Sequence, residues 1–134
     1  MVEGSCLCGA VAYVISTPLI DMHHCHCSRC RKQHGAAFAT FARAPRSSFQ
    51  LTRGADHVRE YRSSAEVTRT FCDTCGSSLQ FLFDGLPDMM WIAAGTFDGE
   101  PDTRPGAHIF VGSKAHWHDI TDDLPCHEEY PLGH

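Results

Sequence analysis

The chain has 134 residues, room for one domain whose core buries roughly two thirds of the unfolded surface. Apolar residues make up 43% and charged residues 20%, which excludes a disordered polypeptide, and no apolar run approaches the ~20 residues needed to cross a bilayer. A formal charge of −5 argues against a nucleic-acid partner.

The opening residues, Met1 to Ser5, carry neither the basic nor the apolar stretch of a signal peptide. The expectation is a soluble cytoplasmic protein whose thiols stay reduced. Cys6-Leu7-Cys8-Gly9 comes next, followed by Val11 to Ile15, a run that reads as a strand. Cysteines return in Cys25-His26-Cys27-Ser28-Arg29-Cys30. There Ser28 is an acceptable N-cap, Arg29 to His34 tolerate a helix, and Gly35 closes it. Two turns at most cannot stand alone, so something else must hold them. Ala37 to Phe41, Phe49 to Thr52 and Val58 to Arg62 read as further strands. Val67 to Phe71 leads into Cys72-Asp73-Thr74-Cys75-Gly76, and Leu79 to Phe83, Met90 to Ala94 and His108 to Val111 complete the series. Phe38, Phe41, Phe71, Phe81 and Phe83 read as core, and Trp91 as a strand residue that can border a pocket. From about 122 the chain is polar and reads as an extended tail, with Cys126 a free thiol. Short strands at this density predict a mainly β fold with one short helix, in a single domain over 1–134.

The chemistry lies in the eight cysteines. Seven are clustered as one Cys-x-Cys pair, one Cys-x-Cys-x-x-Cys triplet and one Cys-x-x-Cys pair. Structural zinc takes four soft ligands in a tetrahedron, and two short ligand pairs from different parts of a chain commonly supply two each. Cys6, Cys8, Cys72 and Cys75 meet that need, with Gly9 and Gly76 beside them to let the backbone turn toward the sulfurs. Disulfides are the competing use, but no βαβ pattern accompanies the Cys-x-x-Cys pair as it does in redox folds. The triplet Cys25, Cys27 and Cys30 makes a local tripod whose fourth position is filled by protein in a structural site, or by water or substrate in a catalytic one. Alternation along a strand puts His23 on the cysteine face and His24 and His26 on the other. Arg29, Arg31 and Lys32 lie in and after the tripod, where they can compensate thiolate charge or hold the carboxylates of a substrate. His23, His24 and His34 are the candidate proton carriers.

Taken together, Gly4 to Val11, Cys25 to Ala36 and Phe71 to Gly76 resemble the glutathione-dependent formaldehyde-activating enzyme family, which also holds relatives of centromere protein V. His108 to Ser113 and His116-Trp117 extend the resemblance. The match runs over roughly residues 4–118. Two positions depart from the family pattern: His116, where proline often precedes the late tryptophan, and Cys126. The resemblance implies zinc-stapled antiparallel sheets of β-tent type. It implies a structural zinc on Cys6, Cys8, Cys72 and Cys75, and a second zinc on Cys25, Cys27 and Cys30 with an exchangeable fourth position. It implies carbon–sulfur lyase chemistry on glutathione or a related thiol and an aldehyde such as formaldehyde, with Arg29, Arg31, Lys32 and His34 as candidate substrate contacts. The alternatives are a non-catalytic zinc-stapled binding module and a thiol–zinc redox sensor.

Overall fold

The computed structural model describes residues 1–130. Its strands are β1 (Val2–Ser5), β2 (Ala12–Ile15), β3 (Asp21–Cys25), β4 (Ala39–Pro45), β5 (Phe49–Arg53), β6 (Val58–Arg62), β7 (Val67–Cys72), β8 (Ser78–Phe83), β9 (Met89–Ala93) and β10 (Ala107–Ile109). One α-helix, α1, spans Ser28–His34. The fold is therefore mainly β. No helix among the described residues is long and apolar enough to cross a membrane.

The strands form two sheets, one of three strands in the order β1-β2-β5 and one of seven in the order β10-β3-β4-β9-β8-β7-β6. All pairings are antiparallel except β10 with β3, where Ile109 stands opposite Cys25. Alternation of side chains gives the larger sheet two different faces. On one, Ala44, Met90 and Ile92 pack with Tyr13 and Ile15 of the smaller sheet. On the other, Phe41, Trp91 and Ala93 pack with Cys25, Cys30 and Ile109. Neighbouring residues of β9 thus serve two separate cores. A third cluster, Cys6, Val11, Cys72 and Leu79, joins the sheets where the two cysteine pairs meet.

The structure departs from the sequence expectations in particular places. The N-cap of α1 is Cys27 rather than Ser28: its sulfur accepts from the Cys30 backbone N–H at 3.3 Å. Gly35 ends the helix as expected, in the left-handed region at φ 60°. The last strand ends at Ile109, because Phe110 takes a positive φ of 58° and the chain turns through Val111–Ser113. The segment after 122 is tied down beside β10. The His108 N–H donates to Pro125 O at 2.9 Å, the His127 N–H to His108 O at 2.9 Å, and the Val111 N–H to His127 O at 3.0 Å. Cys126 within it is exposed and unbridged.

Candidate metal centres and active site

Cys6 and Cys8 lie on the turn between β1 and β2, and Cys72 and Cys75 on the turn after β7. Their four sulfurs lie within 4.8 Å of one another, with Cys6 to Cys8 at 3.7 Å and Cys8 to Cys72 at 3.9 Å. Four thiolates around a zinc ion at ~2.3 Å stand about 3.8 Å apart, so the spacing fits that ion. Both turns are tight, closed by Gly9 N–H to Cys6 O at 3.1 Å and Gly76 N–H to Cys72 O at 2.8 Å, and both glycines take positive φ. The Val11 N–H points at Cys6 Sγ from 3.2 Å, the kind of donor that supports a ligating thiolate. The side chain and backbone of Ser77 hold the Cys75 thiol down at about 5.

The triplet is assembled by a strand end and a helix start. Cys25 closes β3, Cys27 caps α1, and Cys30 occupies its first turn. The three sulfurs lie within 4.8 Å of one another, Cys30 to Cys25 at 3.2 Å. Hydrogen bonds from Cys25 and Cys30 pull the Cys27 thiol well down, while Cys25, facing Cys27 and Cys30 and largely buried, is pushed up. Thiolate charge gathered in a buried triplet needs a compensating partner. Compensation comes from Arg69 of β7, only 3% exposed, whose two terminal nitrogens lie 3.6 and 3.7 Å from Cys30 Sγ. Sequence reasoning missed Arg69. Its one signal was a lone arginine inside a run of Val, Thr and Phe. Among the described residues no fourth His, Cys, Asp or Glu joins this group.

The sulfurs of the triplet open onto a cavity of about 560 Å³. Phe41, Phe81 and Phe83, expected as core, line it with Trp91, Ile109 and Phe110. Among the four candidate substrate contacts, Arg29 borders this cavity and is exposed at its edge. Arg31 is half-buried and Lys32 exposed, and neither borders it. His34 lines a second cleft together with Cys75 and Phe38, and its ring meets Phe41 edge-on at 5.3 Å. Burial and then the nearby Arg69 push the His34 imidazole down to about 4. The histidines in and just after β3 divide as alternation predicts. His23 lines the cavity, while His24 and His26 lie behind the strand against Phe38 and His108. Burial, reinforced by His108, holds both His24 and His26 down to about 4.

Residues 1–113 match the family model described as glutathione-dependent formaldehyde-activating enzyme. A Halomonas elongata protein provisionally named as such an enzyme is 27% identical over 140 residues, covering 98% of this chain and 89% of its own. An uncharacterised lyase of Schizosaccharomyces pombe is 28% identical over 122 residues, covering 90% of this chain and 85% of its own. Among solved structures, a Rhodobacter sphaeroides protein superposes with a TM-score of 0.63 at 28% identity, over 75% of this chain and 91% of that one. The chain belongs to the glutathione-dependent formaldehyde-activating enzyme family.

Proposed function

We propose that the chain is a zinc enzyme that forms and breaks the carbon–sulfur bond between a thiol, glutathione or a related one, and an aldehyde such as formaldehyde. One observation carries this reading: three cysteine sulfurs converge on the wall of a cavity that a small molecule can enter, with no fourth protein ligand among the described residues. The names of the Halomonas elongata and Schizosaccharomyces pombe relatives point the same way. In this reading Cys6, Cys8, Cys72 and Cys75 hold a structural zinc in a closed site, and Cys25, Cys27 and Cys30 hold the second. A zinc ion held by Cys25, Cys27 and Cys30 would lower the pKa of a substrate thiol, as it does for other bound ligands.

The residues of the chain supply the rest. Arg69 places positive charge beside Cys30 Sγ in a buried site, where the low dielectric strengthens it. The cavity walls would hold sulfur and aldehyde together. In the addition, the thiol S–H bond breaks and an S–C bond forms to the carbonyl carbon. The proton ends on the carbonyl oxygen, giving an S-hydroxymethyl thiol with formaldehyde. Of the three candidate proton carriers only His23 borders the cavity.

The test is metal content together with NMR exchange of formaldehyde with thiols. The wild type is expected to hold about two zinc ions per chain and to accelerate exchange. Cys27→Ala should hold about one, keep its fold and lose the acceleration. Retention of both ions would falsify the tripod, and a wild type that accelerates no thiol would leave a zinc-stapled binding module.

A further inference from the structure

The walls of the cavity beside the triplet are those of an apolar binding site. Phe41 and Phe81 lie 5.7 Å apart, and Phe81 meets Trp91 edge-on at 5.6 Å, a fixed aromatic corner facing the sulfurs. Phe83, Ile109 and Phe110 extend it. A ring or branched alkyl group placed there gains edge and face contacts that a peptide backbone does not. About 560 Å³ is the size of a pocket for a molecule of ten or more heavy atoms, far larger than formaldehyde needs.

The charges complete the argument. Among the described residues no Asp, Glu or Lys lines the cavity, and the arginines that do are Arg29 and Arg69. The guanidinium of Arg69 is largely committed. Its Nε donates to Ser63 Oγ at 3.1 Å, one terminal nitrogen to Gln33 Oε1 at 3.0 Å, both terminal nitrogens face Cys30 Sγ, and its plane lies 5.0 Å over Phe81. That leaves the exposed Arg29 as the one uncommitted guanidinium among the described lining residues, with His23, Ser63, Ser64 and Tyr130 as the remaining polar side chains. Glutathione brings two carboxylates and an ammonium, and burying such groups without partners is costly.

We propose that this cavity takes an aryl or branched-alkyl thiol, as the thiol partner of the aldehyde, in preference to a zwitterionic peptide thiol. The proposal rests on the reading of the triplet as a thiol–aldehyde site, and the reaction is the addition described above, with the same bonds broken and formed.

Trp91 reports on the cavity, because the chain has only two tryptophans and the other, Trp117, is 74% exposed. In a zinc-loaded Trp117→Phe protein, Trp91 fluorescence is titrated with benzyl mercaptan, benzyl alcohol and glutathione. Benzyl mercaptan is expected to bind about tenfold or more tighter than glutathione, with benzyl alcohol weaker than the mercaptan. Val67→Glu, which puts a carboxylate into the cavity wall, should weaken the mercaptan about tenfold or more. Should that variant not fold, Val67→Phe fills the same space without charge and should weaken it likewise. Glutathione binding as tightly as benzyl mercaptan would overturn the apolar preference, as would a Trp91 signal that ignores both benzyl compounds. Equal binding of mercaptan and alcohol, both ahead of glutathione, upholds the apolar preference and overturns the thiol reading beneath it.

Discussion

His108 shows how much one residue can fix. It is 2% exposed and bridges three parts of the chain, with Nε2 2.9 Å from Asp122 Oδ2 and Nδ1 2.7 Å from Nε2 of the fully buried His26. A carboxylate only accepts, so His108 Nε2 donates to Asp122. With neutral rings His108 Nδ1 then accepts from His26 Nε2, which leaves His26 Nδ1 as a buried acceptor without a hydrogen-bond partner. The hydrogen bond from His108 also holds the Asp122 carboxyl below the usual range. His108→Ala would strand His26 Nε2 as well and open a cavity, at a cost of about 3 kcal/mol in urea denaturation. Asp122→Asn keeps an acceptor at a half-exposed position and should cost about 1 kcal/mol or less. Equal costs would mean that the chain of contacts, not the buried imidazole, carries the stability. None of this was legible in the sequence, where His108 is one of ten histidines with no informative spacing. The cysteines were legible because a metal tripod or tetrahedron imposes short spacings. Arg69 was not, because its partners Cys30 and Gln33 are more than thirty positions away.

Elements were read well where local propensity and tertiary pairing agree. Val58 to Arg62 and Val67 to Phe71 are β-branched or aromatic runs whose strand bounds hold to within a residue, and the structure pairs them with each other. The strands Val2–Ser5 and Asp21–Cys25 were missed. Glu3-Gly4-Ser5 and Asp21-Met22-His23-His24 have little strand propensity, and only pairing with β2 in the first case and with β4 and β10 in the second makes them strands. Gly4 fits its place because the Tyr13 ring covers it, and a Cβ there would come within 2.2 Å of that ring. Gly54 is more demanding. It turns the chain after β5 at φ +77°, and an added Cβ would lie 1.9 Å from the carbonyl oxygen of Ala10, backbone that cannot swing away. Gly54→Ala is therefore expected to cost about 3 kcal/mol or more and to loosen the adjoining Cys6–Cys8 turn. Gly35→Ala, at φ +60° with nothing within 4 Å, should cost about 1 kcal/mol. Thermal melting of the two variants side by side measures the difference, and equal shifts would mean that left-handed backbone alone, without the Ala10 contact, sets the cost.

At the scale of the whole molecule the two cysteine centres have different duties. The four-cysteine centre draws one pair from each sheet, and polar contacts that join the same regions include Leu7 N–H to Ser77 Oγ at 2.9 Å, Ser5 Oγ to Asp98 Oδ1 at 2.8 Å, Asp98 N–H to Glu3 O at 2.9 Å and Tyr13 to Thr96 at 2.6 Å. The triplet draws all its ligands from six consecutive residues, and its position is secured independently by β3 pairing with β4 and β10 and by the His26 N–H to Ile109 O bond at 3.0 Å. A metal that joins distant segments closes a long loop in the unfolded chain and contributes folding free energy, whereas one held by a local tripod contributes little beyond its own turn. Cys72→Ala removes a fully buried sulfur of the four-cysteine group and, if that group holds the structural zinc proposed above, is expected to lower the melting temperature by about 10 °C or more. Cys27→Ala should lower it by only about a third as much, and the one zinc it keeps, in the four-cysteine group, should resist a mild chelator that strips the triplet ion from the wild type. Near-UV circular dichroism with metal analysis at each chelator concentration reads both effects. If the Cys27→Ala protein melted as early as Cys72→Ala, the triplet would be a second staple, and a cavity beside it would no longer argue for chemistry there.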